Sequence, residues 1–347
     1  MVRDSHGRFL NLDGTLPQTF SSVVQWAIVD RVSGRRRRSP KSAPVPVVPP
    51  DLERIAAPPN VGQGARLTWL GHASWLVQLD GLSLLIDPVL SSSIGPGIRR
   101  NVPAPLAAEE LPPIAAQLVT HNHRDHLDLP SIRQVGAPIV AGLGHRALFD
   151  GESLETTELG WWDATRVGPL AITFVPAQHW SRRGLFDANR CLWGGFVIQG
   201  SSACVYHAGD TAWFEGFAEI GKRFPAIDAA LLPIGAYDPP WFMQKQHLSP
   251  EQAVRAFEAV GAREFLAMHW GTFKLSDEPL DEPPVRLREE WQRRGLPAGS
   301  LRILAQGETW EVGCQRIAPR AVAETPASCA PQRLRSNRRG GPESPCS

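Results

Sequence analysis

The sequence predicts an α/β protein, and three observations predict it. Short apolar runs, punctuated by Gly and Asp, fill the first half of the body in the manner of strands. Helical spacing enters in the second half, alternating with further short strands. Titratable side chains recur just beyond the apolar runs, where loops deliver residues to one edge of a sheet.

In chain order, residues 1–60 read as an N-terminal extension, 61–315 as the folded domain and 316–347 as a disordered tail rich in Pro, Ser, Arg and Gly. In the extension, "FSSVVQWAIVDRV" has the spacing of a short amphipathic helix. "GRRRRSPKS" and the Pro-rich "APVPVVPPDLERIAAPP" then read as a solvated, partly disordered linker. The basic run also suits attraction to anionic lipid headgroups. "RLTWLGHASWLVQLDGLSLLIDPVL" is expected to form a meander of strands, and "AAQLVT", "LAITFVPAQ", "LWGGFVIQG" and "SACVYHAGD" continue them. "WFEGFAEIGKRF" and "SPEQAVRAFEAVG" are helices, the second opened by Ser249 and Pro250. "AALLPIG" and "EFLAMHW" are strands between helices, and "LRILAQGETWEV" reads as a closing hairpin.

Bulk properties remove several function classes. Lys and Arg total 36 against 35 Asp and Glu, so charge gives no reason to expect a nucleic-acid partner. Five cysteines without CxxC spacing point to free thiols and against a Cys-based metal site. No apolar stretch is long enough to span a bilayer, and no signal peptide is evident. The expectation is a cytoplasmic protein, with contact at a membrane surface left open.

The chemistry concentrates in "VTHNHRDHLD", residues 119–128. Burying several imidazoles without partners is costly, and a turn is made more cheaply with Gly, Asn or Pro. Metal binding explains the cluster. Two residues apart on extended chain, His121 and His123 point the same way, and Asp125 and His126 turn back toward them. Imidazole and carboxylate suit zinc and similar borderline metals. Further donors end other strands: His179 in "VPAQHW", Asp210 in "VYHAGD" and His269 in "FLAMHW". His121, His123 and His179 fall to one ion, Asp125, His126 and His269 to the other, with Asp210 between them. Two ions ~4 Å apart can share a hydroxide, lowering the pKa of water from ~15.7 to near 7, and can bind the free oxygens of a phosphodiester. Asp125 would both hold metal and orient that nucleophile.

This order of HxHxDH, a later His, "AGD" and a last His resembles the metallo-β-lactamase fold superfamily. "THNHRDHLD", "CLWGGFVI", "HAGDT", "PIGAYDPPWFM", "QHLSPEQAV" and "HWGTFKLSDEPLDEPP" narrow it. Over about 66–312, the chain resembles the N-acyl-phosphatidylethanolamine-hydrolysing phospholipase D family. The resemblance implies a four-layer αββα sandwich, two mixed β-sheets flanked by helices, and two Zn²⁺ per chain. It implies hydrolysis of N-acyl-phosphatidylethanolamine to an N-acylethanolamine and phosphatidic acid, by a peripheral enzyme at a phospholipid surface. His247 is then expected to meet the substrate phosphate or leaving oxygen. Tyr237, Trp241, Phe242 and Met243 are expected to line a groove for acyl chains. A homodimer is compatible with this reading.

Plainer readings compete. His179, Asp210 or His269 alone would be an ordinary buried or capping residue, and only the series makes them donors. Asp87 either caps a turn before Pro88 or orients a ligand. His72 is read as packing, and His6, His145 and His207 are left unassigned. The main rival function is a related hydrolase acting on a soluble sugar lactone or cyclic phosphodiester. A binding module without catalysis ranks below it, because no donor is missing.

Overall fold

The computed structural model describes residues 3–15, 22, 24–151, 154–184 and 186–313, and the tail expected over 316–347 lies outside them. Six strands open the body: β1 (Ala65–Gly71), β2 (Ser74–Leu79), β3 (Leu82–Ile86), β4 (Ala116–Val119), β5 (Ile139–Gly142) and β6 (Thr156–Leu159). Seven more follow: β7 (Ala164–Val167), β8 (Leu170–Val175), β9 (Gly195–Gln199), β10 (Cys204–His207), β11 (Ala229–Pro233), β12 (Glu264–Met268) and β13 (Leu301–Arg302). The last strand, β14 (Thr309–Val312), returns to the first sheet, whose order is β14-β1-β2-β3-β4-β5-β6. The second sheet runs β13-β12-β11-β10-β9-β8-β7.

Both sheets are mixed in the same way. β14 to β3 pair antiparallel and β3 to β6 parallel. In the second sheet β7 to β10 pair antiparallel and β10 to β13 parallel.

Period-two alternation explains the layering. Leu67, Trp69, Trp75, Val77, Leu84 and Ile86 face the second sheet, where Ile172, Phe174, Phe196 and Ile198 meet them in one core. Leu70, Leu76 and Leu85 point the opposite way, onto Ile55 and Leu106. Both faces are thus covered, so these strands read as almost unbroken apolar runs. Helix α1 (Leu129–Val135) closes the outer face of the first sheet, with Ile132 against Val119 and Ile139. Across the second sheet lie α2 (Gly216–Arg223), α3 (Pro250–Val260) and α4 (Glu282–Arg293), with Phe257 and Trp291 packed on Phe265 of β12. The α/β architecture of two mixed sheets between helices is as the sequence predicts.

α3 shows how locally this is specified. Ser249 Oγ accepts from Gln252 N at 3.3 Å while Gln252 Oε1 accepts from Ser249 N at 3.1 Å, a capping box. Gly261, at φ 69°, ends the helix in the left-handed region.

Two expectations are corrected. "LRILAQGETWEV" is no hairpin: β13 pairs with β12 in one sheet and β14 with β1 in the other. The described part of residues 1–60 is not a separate extension. Phe9 and Ile55 are buried in the body, Val48 N donates to Gln306 O at 2.9 Å, and Gly81 N to Pro59 O at 2.7 Å. The basic run is pinned as well: Arg36 Nε donates to Asp277 Oδ1 at 2.8 Å and Arg37 Nη1 to Glu282 Oε1 at 3.1 Å. Among the described residues no helix is long and apolar enough to cross a membrane.

Candidate metal centre

The topology gathers the donors. β1 and β3 run alike with β4, and β8 runs alike with β10, β11 and β12, so their carboxyl ends share one rim. His72 follows β1, Asp87 follows β3, His121 follows β4, His179 follows β8, Asp210 follows β10 and His269 follows β12. His72, Asp87 and His269 leave their strands at left-handed φ of 52°, 43° and 64°. Such backbone is rare for residues with a Cβ and persists where the surroundings hold it.

All seven predicted donors meet there. His121 Nε2 lies 2.9 Å and His179 Nε2 3.2 Å from His123 Nδ1. Asp210 sits between two groups: Oδ1 is 3.1 Å from His269 Nε2, and Oδ2 is 3.2 Å from His126 Nε2 and 3.8 Å from His179 Nε2. Asp125 Oδ2 is 3.6 Å from both His126 Nε2 and His269 Nε2. A tetrahedral ion with bonds of ~2.1 Å spaces its donors ~3.4 Å apart, so these separations fit. His126 Nε2, His269 Nε2 and Asp210 Oδ1 approach one another without hydrogen-bond alignment, as donors aimed at a common point do.

Hydrogen bonds behind the rings fix their tautomers. Thr120 Oγ1 donates to Asp87 Oδ2 at 2.6 Å, so it accepts the Nδ1–H of His121 at 3.0 Å. Asp87 Oδ2 also accepts from His126 Nδ1 at 2.7 Å, and Gln246 O from His179 Nδ1 at 2.8 Å. His121 and His179 are left with an Nε2 lone pair facing the centre, and His126 offers the same lone pair once a cation displaces its proton. His121 Nε2 and His179 Nε2 both turn a lone pair to His123 Nδ1, and a single N–H there can serve only one of them. A cation among them satisfies all three.

Electrostatics agree. Burial pushes His123 down to about 4 and His179 and His247 to about 3, and holds His121 well below its usual value. Burial opposes ionisation of Asp125 and Asp210, yet neighbouring histidines hold both carboxyls well below the usual range. Burial likewise opposes charge on His126 and His269. Their carboxylate neighbours, Asp210 foremost, nevertheless raise His126 well above its usual value and His269 to about 9. His121, His123 and His179 are thus neutral, whereas His126 and His269 carry protons that the two buried carboxylates hold; cations can replace those protons, and the residues present fit a pair of dications.

Other residues divide. Asp87 is an orienting residue, taking Thr120 N at 2.8 Å besides the bonds above. His72, read as packing, is corrected: its Nε2 meets Asp125 Oδ2 at 2.9 Å and its ring lies tilted against that of His269, centroids 3.9 Å apart. His145 and His207 are buried and bonded to backbone, at Gly142 O and Ala73 O. His247 borders the centre, with Nδ1 3.7 Å from Asp210 Oδ2. A cleft of about 680 Å³ opens over the donors, its lining including the apolar Trp26, Ile94, Ile98, Phe242, Met243 and Leu275 and the basic Arg124, Arg182 and Arg183. Phe242 and Met243 line this cleft. Tyr237 does not line it; its hydroxyl donates to Glu282 Oε1 at 2.8 Å. Trp241 is 42% exposed and also lies off the cleft lining.

Two participants escaped sequence reasoning. Asn11 Oδ1 accepts from His179 N and Trp193 Nε1, both at 3.0 Å, and Trp26 stacks on Phe242 at 5.0 Å. Neither carries a motif, and their partners lie far along the chain.

Comparison with known proteins bears directly on this geometry. Residues 83–270 match the family model of the beta-lactamase superfamily domain. The chain belongs to the beta-lactamase superfamily. Among its relatives is N-acyl-phosphatidylethanolamine-hydrolyzing phospholipase D 1 of Caenorhabditis elegans, 34% identical over 72% of this chain and 76% of that protein. A UPF0173 metal-dependent hydrolase of Methanopyrus kandleri is 34% identical over 71% of this chain and 99% of its own length. The solved isothiocyanate hydrolase from Delia radicum gut bacteria shares the superfamily fold, with TM-score 0.59 at 22% identity, covering 72% of this chain and all (100%) of that one.

Proposed function

We propose that this member of the superfamily, a metal-dependent hydrolase, cleaves the phosphodiester of N-acyl-phosphatidylethanolamine to phosphatidic acid and an N-acylethanolamine. The observation that carries the reading is one cleft whose lining combines buried His and Asp donors with large apolar side chains and three arginines. An amphiphile with an anionic centre matches all three surfaces. The 34% identity to the worm phospholipase D supports the choice of lipid.

His121, His123 and His179 would hold one zinc ion and Asp125, His126 and His269 the other, with Asp210 reaching both. Bound there, two such ions supply Lewis acidity toward the phosphodiester and an activated water. The chain's own residues do the rest. Asp87, Thr120 and the Gln246 carbonyl hold the imidazoles in one tautomer. Asp125, whose side chain is 14% exposed, presents an ionised edge to the cleft and orients the nucleophile. His247 is neutral at pH 7 and meets the leaving oxygen as a hydrogen-bond partner. Arg124, Arg182 and Arg183 steer the phosphate, while Trp26, Phe242 and Met243 take acyl chain. Phe186, 93% exposed, and Trp241 flank cleft residues in sequence and would sit at a membrane surface.

The test is metal-replete protein with N-acyl-phosphatidylethanolamine vesicles and products weighed by mass spectrometry. N-acylethanolamine and phosphatidic acid are expected. Release of fatty acid would rule out the bond, and turnover confined to a dispersed lactone or cyclic phosphodiester would favour the soluble-substrate alternative.

A further inference from the structure

A second cavity, of about 770 Å³, adjoins the metal cleft and shares Trp26, Ile98 and Leu275 with it. Its walls come from the pinned basic run and from the loop around Lys274. Six cations, Arg31, Arg36, Arg37, Arg38, Lys41 and Lys274, line it against one carboxylate, Asp277. Arg36 is neutralised by Asp277, and Arg37 by Glu282, outside the cavity. Lys274 donates to the carbonyl of Glu278. Arg31, Arg38 and Lys41 have no carboxylate partner among the described residues.

A run of arginines free in solvent would spread its charges apart. Here the Arg36 and Arg37 ion pairs and the stacking of Arg36 on Trp26, 4.2 Å from its ring, fix the backbone. Arg31, Arg38 and Lys41, all exposed, therefore line one concavity. Their mutual repulsion is relieved by a multiply charged anion, and guanidinium forks match phosphate oxygens.

We propose that this cavity is a second anion site, separate from the metal centre, that takes a phosphate monoester group. Phosphate monoesters reach it either as small soluble molecules or as lipid headgroups. The inference rests on charge and shape outside the metal centre and stands whether or not the proposed substrate is right.

The test uses the full chain, metal-replete, titrated calorimetrically with glycerol 3-phosphate and with phosphatidic acid vesicles in 0.15 M salt. R31A/R38A/K41A is compared with wild type and with D210N, which damages the metal centre only. Binding that survives in D210N and weakens at least about tenfold in the triple variant, and more weakly at higher salt, supports the site. R38A/K41A, which leaves Arg31 in place, gives the same direction if the triple variant fails to fold. A response to glycerol 3-phosphate assigns a soluble ligand; a response to vesicles alone assigns a lipid headgroup. Binding lost in D210N and unchanged in both cavity variants, or no binding of either probe, overturns the proposal.

Discussion

At the residue scale, Asp87 shows how much of the centre depends on a side chain that would touch no metal. One carboxylate takes Thr120 N, Thr120 Oγ1 and His126 Nδ1, and so sets the lone pairs of two histidines. Asp87→Asn keeps the shape but brings an amide whose N–H groups cannot accept. Metal affinity is predicted to fall roughly 10–100-fold, the usual cost of losing such a partner, measured by competition with a chromophoric chelator. Unchanged affinity would show the histidines to be oriented without it. pH offers a second check. His126 and His269 hold protons past neutrality in the metal-free chain, and binding a cation must displace them. Affinity is thus predicted to climb with pH from 6.5 to about 9, with protons released between, read by calorimetry in buffers of different ionisation enthalpy. Their raised pKa values also stabilise the metal-free fold fully below pH 6.5, and that contribution is lost as pH rises through about 9. The seven donors were legible because each follows an apolar run. Asp87 was not, since "IDP" suits a turn equally well, and His72 was misread because "GHAS" shows nothing of Asp125, 53 residues on.

At the element scale, the parallel strands aim the site, and the loop after β10 has little room to spare. Gly209 adopts φ 62°, and a Cβ there would lie 2.6 Å from Gly194 O. Gly209→Ala is predicted to displace Asp210, costing at least ~1–2 kcal/mol of stability from the left-handed backbone alone. Both Tm and bound metal should drop together; loss of neither would mean that the loop yields freely. The strands were legible because period-two patterning and burial coincide. The false hairpin has a physical cause: "LRILAQGETWEV" alternates in the same way whether its halves pair together or join separate sheets. Nothing local distinguishes the two, and only the partners β1 and β12 decide.

At the scale of the whole molecule, the N-terminal residues belong to the hydrolase body. Phe9 is buried, Asn11 holds the His179 backbone and Trp26 walls the cleft. Asn11→Ala leaves His179 N and Trp193 Nε1 without that acceptor in a buried place, at ~1–3 kcal/mol. The prediction is a lower Tm with weaker metal retention, by differential scanning calorimetry and elemental analysis. A variant matching wild type in both would return this segment to the status of an appendage. This layer was illegible in sequence because its contacts span 168 and 182 residues. Low-complexity basic and Pro-rich composition reads as linker whenever its partners are unknown.

All three scales bear on the proposal that one rim of strand ends holds a pair of cations. Metal content of purified, chelator-washed and reloaded protein tests that most directly, by elemental analysis alongside the D210N variant. The account predicts two equivalents of metal per wild-type chain, both diminished together when Asp210 no longer reaches the two groups. A folded, fully active preparation without metal would contradict it.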